Sequence, residues 1–126
     1  MAVSGGVVER YAGRLIISCQ VDEAITARDV VNVSGDFRVA QGDAGETLLK
    51  GIAMQSATAL NDLIDVDFGV GVVYDLVASG AVPAGTAVES AATGAVSAVA
   101  GDCDPHLILG YALAAAADNS VPVVIR

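Results

Sequence analysis

Tryptophan is missing from this chain, and lysine and histidine occur once each, as Lys50 and His106. Two Phe and three Tyr complete the aromatics, too few for a sugar-stacking platform. Cations are scarce as well: six Lys and Arg face fifteen Asp and Glu, a net charge of −9. That balance disfavours nucleic acid, whose phosphates are held by Lys and Arg, and it disfavours an anionic membrane surface for the same reason. Catalytic parts are short too. There is no Gly-x-Ser-x-Gly elbow, no His-Glu-x-x-His and no phosphate loop. Gly69-Val70-Gly71 lacks the third glycine and the following helix of a dinucleotide site. His106 follows Pro105 and reads as a loop residue. The expectation is a non-enzyme with no catalytic residue, no cofactor and no metal.

Long apolar runs are absent. Ala81–Ala100 is broken by Pro83, Gly85 and Gly94, and Leu107–Ala117 is too short to cross a bilayer. Met1–Gly6 has neither the basic start nor the apolar run of a signal peptide. The two cysteines, Cys19 and Cys103, sit beside different elements and read as buried free thiols.

What is present is small and apolar. The hydrophobic fraction is 54% of 126 residues, mostly Ala and Val, which fill thin spaces: closely packed sheets or a narrow barrel. The length suits one domain that buries about two thirds of its unfolded surface. An acidic, lysine-poor surface suits solubility in concentrated salt, where screening removes self-repulsion; a halophilic source is the expectation, and an ordinary acidic surface protein the alternative.

Short β-rich runs punctuated by Gly, Asp and Asn dominate the chain. Strands are expected at Leu15–Val21, Asp29–Val33, Phe37–Ala40, Leu48–Met54, Val70–Val77, Thr86–Glu89, Ala95–Val99, Leu107–Leu113 and Val121–Ile125. In Val70–Val77, Tyr74 and Leu76 fall on one side and Val73, Asp75 and Val77 on the other. Gln55–Ile64 reads as one or two helical turns, and Ala114–Ala117 has helical propensity. Asp62, Asp65 and Asp67 read as a solvated turn. Asp102-Cys103-Asp104-Pro105-His106 brings four potential ligands together, but no second cluster completes a metal site.

An internal echo runs through the chain. Ile25–Val31 resembles Val82–Val88, and Leu48–Met54 resembles Leu107–Leu113, at nearly the same separation. Two half-domains of similar strand–turn–strand design explain this. Ahead of them, residues 1–14 read as a flexible N-terminal arm and residues 15–126 as a single β domain. The arm carries Val3, Val7, Val8 and Tyr11 between glycines, the apolar points of a segment that can lie along a capsid or subunit partner; the alternative is a frayed terminus or a first edge strand of the domain.

The order Ala24–Val31, Gly51-Ile52-Ala53, Pro83–Val88, Leu109–Leu113 and a closing Val121–Ile125 strand resembles the small capsid decoration (cement) proteins of tailed bacteriophages and tailed archaeal viruses. The resemblance runs from about Leu15 to Arg126. One residue departs from it: Arg28 stands where the family usually has glycine, and arginine disfavours positive φ. The resemblance implies an all-β fold, a small β-barrel or β-tulip-like domain with short strands and little helix. It also implies a place on the outer surface of a virion, as a homotrimer bridging subunits of the major capsid protein. The alternative is a β-clip-like module for a small ligand or carbohydrate, which requires a concave pocket with convergent polar side chains. A small hydrolase, built on His106 and nearby carboxylates, ranks third.

Overall fold

The computed structural model describes residues 14–45, 49–99 and 105–126. Its ten strands form two groups of five. The first comprises β1 (Ile16–Val21), β2 (Val30–Gly35), β3 (Arg38–Gln41), β4 (Lys50–Ala53) and β5 (Leu63–Asp67). The second comprises β6 (Val73–Val77), β7 (Ala87–Ser90), β8 (Val96–Ala98), β9 (Ile108–Ala112) and β10 (Ser120–Ile125). Two short 3-10 turns, Ala92–Gly94 and Pro105–Leu107, complete the described elements. The fold is all-β.

The first five strands close into a barrel in the order β1-β3-β2-β4-β5, and the second five form a sheet in the order β6-β10-β9-β7-β8. Unrolled between β1 and β3, the barrel reads β1-β5-β4-β2-β3, so the two halves share one topology strand for strand. Their registers match as well. Val31 lies opposite Gly51 in the first half, and Val88 opposite Gly110 in the second. The barrel closes through a parallel contact of Val21 with Val39, and the sheet comes round on itself through one parallel bridge, Ala78 to Val96. The echo in the sequence is a structural repeat.

The turn before each repeated strand makes the same bonds. Arg28 N–H donates to Ala53 O and Gly85 N–H to Ala112 O, both at 2.8 Å. Gly85 has φ +80°, and Arg28 adopts the same conformation at φ +76°. The expected departure at Arg28 therefore leaves the turn intact, with a strained residue in it. The Arg28 guanidinium lies 5.2 Å over the Tyr74 ring of the other half, a contact that offsets part of the strain. Arg28→Ala keeps the positive φ and loses the ring contact, whereas Arg28→Gly loses only the contact. The glycine variant is expected to be the more stable of the two by about 1 kcal/mol in urea unfolding.

Strand alternation sorts the side chains into two cores. Cys19, Val21, Val31, Val39, Ala53, Ile64 and Val66 fill the barrel, where small and branched residues match a narrow bore. Tyr74, Leu76, Val88, Val96, Leu109, Val121 and Val123 form the second core, which Val30 and Ile52 enter from the barrel. β2 and β4 thus serve both cores: Val31 and Ala53 point into the barrel, Val30 and Ile52 out of it.

Four expectations are corrected. Gln55–Ile64 forms no helix. Ile25 and Ala57 make an isolated bridge, and the chain then enters β5, where Ile64 and Val66 point inward. The turn expected of Asp65 and Asp67 is this strand. Ser18 Oγ–H donates to the Asp65 carboxylate at 2.9 Å and accommodates it on the outer face, while Gln55 Oε1 accepts the Asp65 N–H at 3.0 Å. Ala114–Ala117 is likewise not helical, and Ala117 bridges to Ser120. Phe37, expected to begin a strand, sits in the β2–β3 turn at φ +53° with its ring 71% exposed.

Candidate interaction surface

β1 has a partner along one whole edge and along only the top of the other. Ile16–Gln20 pair with β5, whereas toward β3 the partners begin at Gln20. On the β5 side, Phe68 N–H donates to Leu15 O and Val21 N–H to Asp62 O, while Gln20 N–H donates the other way, to Phe37 O. Strand alternation therefore turns the N–H and C=O of Ile16 and Ser18 toward the open edge. Among the described residues no strand pairs with them there.

Beneath this edge lies an apolar hollow of about 320 Å³, lined by Leu15, Ile17, Cys19, Val33, Phe37, Arg38, Leu49 and Phe68. Leu15, Phe37 and Leu49 are all more than half exposed. The repeat explains why the hollow exists. Where the first half carries Ile17 and Cys19 on β1, the second carries Tyr74 and Leu76 on β6, and these larger side chains are buried in their core. Arg38, the polar residue of the lining, is committed elsewhere. Its guanidinium donates to Asp22 at 2.7 Å, to Gln20 at 2.9 Å and to Asn61 at 2.6 Å. The Ser34 hydroxyl and then Arg38 hold the Asp22 carboxyl below the usual range. Cys19 is a buried free thiol, and burial pushes it up.

The hollow borders a buried carboxylate at the junction of the halves. Asp67, 3% exposed, ends β5. Its Oδ1 accepts the N–H of Leu15 at 3.0 Å and of Gly69 at 2.8 Å, and its Oδ2 accepts the Tyr74 hydroxyl at 2.6 Å. The Arg14 guanidinium stands 3.9 Å away. Burial alone would raise this carboxyl, but the three hydrogen bonds and Arg14 together hold it low. Tyr74 is pushed up to about 12 by its own burial and then by its bond to Asp67. Asp67 ties the entry to β1, the corner after β5 and the first strand of the second half to one point. Gly69 and Gly71 belong to that corner, with Gly71 N–H bonded to Ile125 O.

The arm residues Val3, Val7, Val8 and Tyr11 lie outside the described residues, as do Asp102, Cys103 and Asp104. Pro105–Leu107, which contains His106, is a 3-10 turn leading into β9. Among the described residues no three His, Cys, Asp or Glu gather as a metal site, and no helix is long and apolar enough to cross a membrane. Sequence reasoning read Asp67 as part of a solvated turn and passed over the hollow. The signal for the hollow was the size difference between Ile17/Cys19 and Tyr74/Leu76, visible once the repeats are aligned.

No family model and no curated protein sequence matches the chain. A solved structure does: the N base of head fiber gp8.5 in bacteriophage phi29, at a TM-score of 0.67. The chain shares the fold of that head-fiber base. The match covers 90% of this chain and 95% of the other at 18% sequence identity, so the two agree in architecture nearly end to end while their side chains differ.

Proposed function

We propose that this chain is a capsid decoration (cement) protein, which binds the outer surface of a virion as a homotrimer and bridges subunits of the major capsid protein. The observation that carries this reading is the end-to-end likeness to a phage head-fiber base. The chain has the size of such a base and an acidic, lysine-poor composition, and its work is contact rather than catalysis. Stabilisation is additive. Each copy buries a modest interface, and rupture of a symmetric shell requires many to fail at once. The β-clip-like reading fits less well, because the hollow is apolar and its arginine is already bonded to three neighbours, whereas a sugar site needs free polar groups.

Quantitative gel densitometry of purified virus particles tests the proposal. One copy for each major capsid subunit is expected. Absence from the particle, or a handful of copies, rejects lattice-wide decoration.

A further inference from the structure

We propose that the open edge of β1 is a docking slot for an extended strand, and that the strand is the N-terminal segment of a neighbouring copy of this chain. The proposal needs no shell and is tested on the free protein.

The slot itself specifies the shape of its occupant. Ile16 and Ser18 each present one main-chain donor and one acceptor to the open side, a row that only another extended backbone satisfies along its length. The hollow beneath takes apolar side chains from that backbone, and Phe37 and Leu49, 71% and 66% exposed, stand as its far wall. In the second half the corresponding space is filled from within by Tyr74 and Leu76. In the first half no described residue fills it.

The chain carries a segment of that chemistry. Val7 and Tyr11, four residues apart, fall on one face of an extended strand, with Val3 on the same face. A span of 13 residues reaches roughly 45 Å when extended, while the open stretch Ile16–Cys19 needs only about 13 Å. The remainder suffices to cross between molecules.

The way the chain leaves its own barrel points to a neighbour's segment. Arg14 stands beside Asp67, and Leu15 N–H is bonded to that carboxylate. Asp67 lies on β5, opposite Ile16, and Leu15 O accepts the Phe68 N–H, so the chain still runs extended alongside β5 at Leu15. To fill its own slot the segment would have to reverse immediately before Arg14. To fill a neighbour's it continues outward. Such an exchange joins different surfaces of the two molecules and closes into a ring when the rotation permits.

Complementation between two full-length variants tests this. Phe37→Glu damages the slot at a solvent-exposed position and leaves the segment intact, whereas Val7→Glu with Tyr11→Glu damages the segment and leaves the slot intact. By light scattering, the wild-type chain is expected to gain mass with concentration. Each variant alone should be monomeric, with association weakened at least 100-fold, and an equimolar mixture should recover one-to-one heterodimers. Leu49→Glu serves as a second slot variant should Phe37→Glu alter the melting temperature. A wild-type chain that stays monomeric at every concentration, variants that still associate, or a mixture that fails to pair would each overturn the proposal.

Discussion

Gly110→Ala is expected to destabilise the protein by more than about 4 kcal/mol, enough to leave little folded chain at ambient temperature. A Cβ built on Gly110 meets the Val124 carbonyl oxygen at 2.1 Å and its carbonyl carbon at 3.0 Å. Both are backbone atoms of β10, whose ladder with β9 runs through this point. No rotamer change relieves the clash, so β9 must leave β10, and these strands hold Leu109, Val121 and Val123 in the second core. Gly51, its counterpart in the first half, meets side chains instead: Val66 Cγ1 at 2.6 Å and the Phe68 ring at 2.9 Å. Phe68 lines the hollow and has room to turn, so Gly51→Ala is expected to cost less, about 2–3 kcal/mol. Gly85→Ala is the control. Nothing stands within 4 Å of its Cβ, and the positive φ alone costs about 1 kcal/mol. Urea unfolding of the three variants checks the ranking, and equal losses would refute the argument from close approach.

Asp67→Ala is expected to cost about 3–5 kcal/mol, because it leaves the Tyr74 hydroxyl and the Leu15 and Gly69 amides without their acceptor in a buried setting. Asp67→Asn, which still accepts hydrogen bonds, should cost about half as much. The same cluster sets the response to pH. The Asp67 carboxyl is held below its ordinary 3.8, so its contribution is complete above about pH 4 and is lost as pH falls through the folded-state value. Tyr74 moves the other way, from 10.0 to about 12. Its contribution is complete below pH 10 and disappears as pH rises from 10 toward 12, on the order of 2–3 kcal/mol in all. Melting curves from pH 8 to 12 should show this alkaline decline in the wild type and its loss in Tyr74→Phe. A decline of equal size in that variant would place its origin elsewhere.

The strands that alternate cleanly were legible from sequence. Tyr74 and Leu76 are buried and Val73, Asp75 and Val77 exposed, as the period of two requires. The repeat was legible too, because an apolar residue, a polar or proline step, alanine and a turn residue precede a valine-bearing strand in both Ile25–Val31 and Val82–Val88. β5 was not. Leu-Ile-Asp-Val-Asp has a strand's alternation, but its two carboxylates imitate a solvated turn, and only partners on other elements account for them. Ser18 bonds the Asp65 carboxylate; Leu15, Gly69 and Tyr74 bond that of Asp67. A buried acid is intelligible only from what surrounds it. The hollow escaped notice for a related reason: it is a difference in volume between equivalent positions, and no single residue in it is unusual.

The sharing of β2 and β4 between the cores bears on how the molecule fails. A chain made of two like halves invites stepwise unfolding, one half melting while the other persists. Here that route is closed. Loss of the barrel withdraws Val30 and Ile52 from the second core, and loss of the second sheet leaves the same two side chains facing water. At roughly 1.5–3 kcal/mol for each buried aliphatic, that mutual dependence is a large part of the stability a domain of this size has in total. The duplicated architecture therefore behaves as one cooperative unit, and a protease or a mechanical load meets a structure that stays whole until it gives way at once.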